Sequence, residues 1–296
     1  MSALAAFFAA VSAFLGVSGQ VAELTPREKA AMLVVSSPPA PRGVAGVLLH
    51  YYETDSPRPK GALVFVDQEG GPVRAYRKLP PARSAAEYAS AEEAFDAGEN
   101  TARALRGVGV NVDLAPVLDS RDGPLGARHF ADPSYGVAFA RGLADGGIAD
   151  CAKHFPGLGS TSESTDGREP VYGVVRASEV AGFRDAVRAG VPCLMVSHAI
   201  YRRFGRRPAS LEPKAYTLLR DTGFRGIAIT DELGVLGSDG APNWARLAVL
   251  AGADLVLFSS ARDAKRAIDA LVPLARKGLL DEHVFRVLRF RARFAS

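Results

Sequence analysis

Eight short apolar runs rich in β-branched residues recur along the chain: Met32–Ser36, Val44–His50, Ala62–Gln68, Val110–Val117, Ile148–His154, Cys193–His198, Ile227–Asp231 and Asp254–Ser259. Turn or helix signals bound each one, and near-continuous apolarity suits strands buried on both faces, as in a parallel sheet. Helical patterns lie between most of them. Ala85 to Arg106 is long and amphipathic, Ala177 to Ala189 repeats apolar residues at helical spacing, Ser210 to Thr222 opens on a capping serine and stops at Gly223, and Trp244 to Ala251 precedes the eighth run. Ahead of the first run, Thr25-Pro26-Arg27-Glu28 has the capping-box form, with a hydroxyl for the first free amides and glutamate three residues on. Together these predict a single-domain α/β fold, a (β/α)8 TIM-type barrel. Only eleven residues, including Pro57, Pro59 and Gly61, separate His50 from Ala62. That is too few and too broken for a crossover helix, so the helix after the second strand should be absent.

The length of 296 residues, with 48% apolar composition, suits one core of barrel size, here residues 23–296. Residues 1–22 carry no charge, and Ala3 to Val17 is an apolar run of signal-peptide length followed by small residues at Ser18, Gly19 and Ala22. Export to the cell envelope or medium is the expectation; the alternative, given an n-region without Lys or Arg, is an irregular apolar helix on a cytoplasmic protein. No other stretch is long enough to span a membrane. The net charge of +4 is spread along the chain, apart from Arg202-Arg203, Arg206-Arg207 and a C-terminal set of Arg286, Arg289, Arg291 and Arg293. No aromatic-basic module accompanies these clusters, so nucleic acid is not an expected partner. Cys151 and Cys193 have no metal-ligand spacing and each sits inside an apolar run, which favours two buried, unpaired thiols over a disulfide.

Polar residues fall where the strands should end: Asp67 and Glu69, Asp119, Lys153 and His154, His198, Asp231 and Glu232. In a parallel barrel these ends form one rim, where barrel enzymes hold their active sites. One such residue alone is more readily structural; the set together is not. The stretch from Ile148 to Pro170 concentrates the signal. It leaves an apolar strand through Lys153-His154, turns at Phe155-Pro156-Gly157, and continues in small polar residues with three carboxylates. Such a segment reads as a strand that delivers its last side chains to a functional loop.

Six motifs, VDQEGG at Val66–Gly71, GVNVDLAPVLD at Gly109–Asp119, KHFPG at Lys153–Gly157, SHAIY at Ser197–Tyr201, RPAS at Arg207–Ser210 and ITDEL at Ile229–Leu233, occur in the order seen in glycoside hydrolase family 3. The chain resembles the single-domain β-N-acetylhexosaminidases of that family over residues 26 to 265. The resemblance implies a retaining hydrolase of β-linked sugars with Asp231 as nucleophile. It implies sugar contacts from Asp67, Arg128, Lys153 and His154, with His198 and Arg207 lining the same bowl. The expected partner is a carbohydrate, with N-acetylglucosamine-containing wall or chitin-like fragments as candidates. No metal or other cofactor is expected, and the chain is expected to be a monomer.

The departures lie in the loop after KHFPG. Leu158 stands where the family has a histidine, and Ser164 and Asp166 stand where it has an Asp-x-His pair whose histidine is the general acid/base. Pro72 replaces an arginine after EGG, which leaves the geometry of that turn open. Asp166 is the candidate acid and Glu163 the runner-up. A carboxyl in that role must hold its proton near neutral pH, which water exclusion or a close carboxylate favours. The loop meets this if it folds over the bowl toward Asp231, with Gly157, Gly159 and Gly167 as hinges. Two alternatives stand beside this reading: a sugar-binding barrel that has lost turnover, and, more remotely, an aldolase using Lys153 as a Schiff-base amine.

Overall fold

The computed structural model describes residues 16–295. The first fifteen residues of the candidate export signal lie outside them, and residues 16–23 are helical. Every predicted run contains a strand: β1 Val34–Ser36, β2 Gly46–Leu48, β3 Leu63–Val66, β4 Val112–Asp113, β5 Ala149–Phe155, β6 Cys193–Val196, β7 Ile227–Glu232 and β8 Leu255–Phe258. Each is parallel to its neighbours in sequence, and β1 pairs with β8 to close the barrel. Most strands are shorter than the runs, while β5 and β7 each extend one residue beyond theirs, to Phe155 and Glu232.

Helix α1, Pro26–Ala31, starts as the sequence dictates: Thr25 Oγ1 accepts the Glu28 amide at 3.3 Å and the Glu28 carboxylate accepts the Thr25 amide at 2.8 Å. The crossovers are α2 Ala91–Gly107, α3 Pro133–Asp145, α4 Ala177–Arg188, α5 Pro213–Asp221 and α6 Ala241–Ala251, and after β8 come α7 Ala261–Ala275 and α8 Asp281–Phe294. The helix after β2 is missing, as expected. So is the one after β1, which the sequence reading did not anticipate. Residues 37–45 link β1 to β2 without a helix, and Pro38, Pro39 and Pro41 supply the reason, since each removes a backbone donor.

The long pattern from Ala85 is two elements. A 3-10 turn at Ala85–Glu87 ends, and Ser90 caps α2 by accepting the Glu93 amide at 3.1 Å. Ser210 does not cap α5, which begins on Pro213; its hydroxyl lies 2.7 Å from His198 Nδ1 instead. α2 and α3 approach closely because Gly98 and Gly142 face each other's helix: a Cβ at Gly98 would lie 2.2 Å from Phe139 O, and one at Gly142 2.1 Å from Phe95 O.

The expectation of unpaired thiols is corrected. Cys151 on β5 and Cys193 on β6 are register partners across neighbouring strands, with Cα atoms 4.4 Å apart, and they form a disulfide. Their separation of 42 residues carries no hint of this; only the parallel register brings them together.

Asp150, also on β5, is 1% exposed and its Oδ2 has no hydrogen-bond partner. Burial pushes its carboxyl up to about 8. Because the folded value lies above the unfolded one, this group's stability contribution is complete below about pH 4 and is lost as pH rises through about 8. Asp150→Asn, which cannot ionise, should therefore unfold at higher urea than the parent at pH 7, by up to about 4 kcal/mol. The gap should close on acidification toward pH 4, and a gap independent of pH in urea titrations would show that Asp150 is not the group responsible.

Candidate active site

The strand ends converge as predicted. A hairpin of Gln68–Gly70 against Val73–Arg74 follows β3 and presents Asp67 and Glu69 on either side of Gln68. Gln68 is fully buried, and its amide group binds the Tyr76 amide at 2.9 Å and the carbonyls of Tyr76 and Pro80 at 3.1 and 2.9 Å. The turn closes with Pro72 in place, held by Arg74 Nε donating to Gly71 O at 2.8 Å. From the end of β5, Lys153 Nζ reaches Asp67 Oδ1 and Glu69 Oε1, both at 2.6 Å. Arg128, on a 3-10 turn, grips the same Glu69 with both branches of its fork, at 2.8 and 2.9 Å.

These charges set one another's protonation. Burial alone would raise the Glu69 carboxyl, but Lys153 and Arg128 hold it down at about 2. Burial likewise opposes the Lys153 ammonium, yet Asp67 and Glu69 keep it well above the usual lysine range. A Schiff-base lysine must present a neutral amine, so the aldolase alternative is corrected: Lys153 is a fixed cation. Asp67 is the member of this cluster that is a third exposed, and so the one most open to a ligand.

His154 is buried against Asp119, whose Oδ2 lies 2.7 Å from Nδ1, and Asp119 also accepts the amides of His154 and Leu158 at 3.2 and 2.8 Å. This network assigns the proton to Nδ1. Asp231, half-buried at the end of β7, accepts the Glu232 amide on Oδ1 at 2.8 Å and faces Thr165 Oγ1 across 3.5 Å on Oδ2. Burial would raise its carboxyl, but His198, His154, the Glu232 amide and Lys153 outweigh that and leave it below the usual range. Its neighbour Glu232 is spent on structure: its carboxylate caps the 3-10 turn Leu233–Leu236 through the amides of Gly234 and Val235, both at 3.0 Å.

Two predicted ligand contacts are placed differently. His198 is 4% exposed, with Nδ1 on Ser210 and Nε2 donating to Glu232 O at 2.9 Å. Both nitrogens are taken, so it fixes the Asp231-Glu232 backbone and offers a ligand only its ring edge. Arg207 is tied to Glu212 at 3.1 to 3.5 Å and lies on the wall of a cavity of about 260 Å³ with Thr165, His198, Leu236 and Trp244. That puts it on the Asp231 side of the bowl, away from the Lys153 cluster.

The loop after β5 does come over the rim, but its base is clamped rather than hinged. Glu179 Oε1 accepts the amides of Gly159 and Ser120 at 2.7 and 3.3 Å, and Tyr201 donates to Gly157 O at 2.7 Å. A Cβ at Gly157 or Gly159 would lie about 2.5 Å from Glu179, so glycine is there for close approach. At the tip, Thr165 is buried and contacts Asp231, while Asp166 is exposed and accepts Ser164 Oγ at 2.6 Å. Asp166 is near enough to Arg128 to strengthen its charge. Glu163 is exposed. Glu69 stands among the strand-end carboxylates of the sequence, but its pairing with Lys153 and Arg128 is visible only in the fold, and no signal in the sequence marks the roles of Gln68, Thr165 and Glu179.

A closed parallel barrel that gathers carboxylates, ammonium, guanidinium and imidazole at its C-terminal rim suits a barrel enzyme acting on a polar ligand such as a sugar. Residues 47–290 match the glycosyl hydrolase family 3 N terminal domain, and the chain belongs to that family. It is similar to the β-hexosaminidase LpqI of Mycobacterium tuberculosis, 31% identical over an alignment that covers 91% of this chain and 84% of the relative. It is also 32% identical to a β-hexosaminidase of Stenotrophomonas maltophilia over an alignment that covers 68% of each chain. Among solved structures, M. tuberculosis LpqI superposes with a TM-score of 0.81 at 27% identity, covering 93% of this chain and 96% of that one. A family 3 β-N-acetylglucosaminidase from Paenibacillus sp. does so with a TM-score of 0.81 at 26% identity, covering 91% of this chain and 62% of that one.

The Glu69 cluster makes a pH prediction. Its carboxyl is depressed in the fold, so its contribution is present above the unfolded value of 4.5 and is lost as pH falls through about 2. Glu69→Gln should cost about 3 kcal/mol at pH 7, with the difference from the parent narrowing in urea melts between pH 5 and pH 3. An equal cost at both ends of that range would count against the network.

Proposed function

We propose that the chain is a retaining β-glycosidase of the β-N-acetylhexosaminidase type. The observation that carries this reading is Asp231: a carboxylate at a barrel rim, held ionised by its surroundings and facing a loop that crosses the bowl. Asp67, Lys153 and His154 hold the sugar hydroxyls through charge-assisted hydrogen bonds, with Arg128 anchoring the cluster. Asp231 attacks the anomeric carbon as Asp166 gives its proton to the departing oxygen, so the glycosidic bond breaks and a glycosyl ester forms. Water then attacks the same carbon, Asp166 takes the water's proton, and Asp231 leaves as a carboxylate. A 2-acetamido group lies beside the anomeric carbon, and the cavity walled by Leu236 and Trp244 offers its methyl an apolar seat.

The exposure of Asp166 favours a second reading, a sugar-binding barrel without turnover, and the leaving group separates the two. Asp166→Ala should slow alkyl glycosides by several orders of magnitude more than dinitrophenyl glycosides, which need little protonation, and azide should restore part of the rate on the latter. Equal, small losses on both substrate types, with Glu163→Ala behaving alike, would remove both residues as the acid. Asp231→Asn should retain sugar binding while losing about four orders of magnitude in rate, and a 2-fluoro glycoside should label Asp231 in the parent. Labelling at another residue would end that assignment.

Export is part of the proposal and is supported by the Cys151–Cys193 disulfide, a bond that persists in oxidising compartments. N-terminal sequencing of protein recovered from the culture medium or cell envelope tests it, since an intact Met1 on cytoplasmic protein would contradict export.

A further inference from the structure

The run GVNVDLAPVLD at residues 109–119 carries polar side chains at Asn111, Asp113 and Asp119, and the first and last have clear partners. Asn111 accepts the Val64 amide at 2.9 Å and donates to Phe294 O at 2.8 Å, and Asp119 holds His154. Asp113, at the end of β4, has no part in the site described above. It is fully buried. Its Oδ1 accepts the Gln68 amide at 2.9 Å, and its Oδ2 has no hydrogen-bond partner among the described residues.

A buried carboxylate with an unmet oxygen is costly, and the charges beside it do not call for another anion. Lys153 and Arg128 already face an equal number of carboxylates, Asp67 and Glu69. Burial pushes the Asp113 carboxyl well above the usual range, and Asp67 and Glu69 add to this against the pull of the Gln68 amide and Lys153. These surroundings favour the neutral acid, which keeps Oδ1 as an acceptor.

What the bond to Gln68 controls is Asp67. The planar peptide that joins the two residues is held from both sides: Asp67 O accepts the Ala75 amide at 2.9 Å, and Gln68 N donates to Asp113. A fixed plane sets the direction in which the Asp67 side chain leaves the backbone. Its carboxylate then meets Lys153 Nζ at 2.6 Å and stays a third exposed. Removing the acceptor on Asp113 strands a buried amide, and the hairpin relieves that by moving the segment that carries Asp67.

We propose that Asp113 is a positioning residue for the sugar site, acting on the ligand through the Gln68 amide and Asp67. The inference rests on the reading of Asp67 as a sugar-binding carboxylate. Asp113 itself, being fully buried, touches no ligand.

Affinity for N-acetylglucosamine, measured by calorimetric titration of the full chain, reads this role without requiring turnover. Asp67→Asn should bind at least about 10-fold more weakly, and Asp113→Ala about 5-fold more weakly. Asp113→Leu, which has the same branched shape and no acceptor, repeats the test without leaving a cavity. Asp113→Asn keeps an acceptor oxygen without charge and should stay within about 2-fold of the parent. The double variant Asp67→Asn, Asp113→Ala should bind no more weakly than Asp67→Asn alone, because both changes act on one contact. A residue that only supports the fold would lower the melting temperature and add its loss to that of Asp67→Asn. A parent that does not bind the sugar, or an Asp67→Asn variant that binds like the parent, overturns the sugar reading and this inference with it. Where Asp67→Asn does weaken binding, three results each overturn the inference alone: unchanged affinity in Asp113→Ala and Asp113→Leu, an additive double variant, or an asparagine variant as weak as the alanine one.

Discussion

Lys153 and Glu69 are both charged and both almost fully buried. Removing either ion from water costs several kcal/mol, and mutual attraction offsets that only where every remaining donor and acceptor is met. Asp67 and the Arg128 fork complete the set. The four groups come from the hairpin after β3, the turn at Gly126–Arg128 and the end of β5, so satisfying the charges fixes three loops relative to one another. Asp67 is the partly open member, and its orientation toward a ligand depends on a lysine that cannot move without stranding Glu69. The exposed carboxylate and the buried ion pair are therefore one arrangement, and Coulomb attraction from the same lysine also helps lower the Asp231 carboxyl.

Against this rigid side of the bowl stands the loop after β5. Its base is held by Asp119, Glu179 and Tyr201, each using a backbone group of residues 157–159. Anchors of this kind do not depend on the identity of the loop's own side chains beyond the need for glycine. The side chains at the tip, Ser164 and Asp166 among them, are thus not needed to set the path of the loop. The bond from Ser164 Oγ to Asp166 Oδ2 joins those two positions.

The barrel was legible because its signal is local: an apolar run is a buried strand in any parallel sheet, and the capping box at Thr25 needs only four residues. What stayed hidden depends on registry. Cys151 and Cys193 become partners only when β5 and β6 align, and Ser210 looks like a helix cap until His198 claims its hydroxyl. The helix missing after β1 is readable in Pro38, Pro39 and Pro41, and α3 in the Asp132-Pro133 start. For the site, residue types at strand ends located the rim correctly, but sequence could not separate Asp67, which is open, from Glu69, which is consumed by Lys153 and Arg128. Nor could it show that both nitrogens of His198 are taken.

The loop geometry bears directly on whether a carboxyl can replace the imidazole. A retaining pair works with its carboxyl groups about 5 Å apart. Thr165 Oγ1 lies 3.5 Å from Asp231 Oδ2, so the residue before Asp166 already ties the loop tip to the end of β7. What separates Asp166 from the anomeric region is its side-chain direction, toward Ser164 and the field of Arg128. A rotamer change costs far less than a loop movement, and a bound sugar engaging the Asp67 and Lys153 side alters the charge balance that Asp166 feels. In the reaction proposed above, Asp166 would have to turn its side chain away from Ser164 to reach the leaving oxygen.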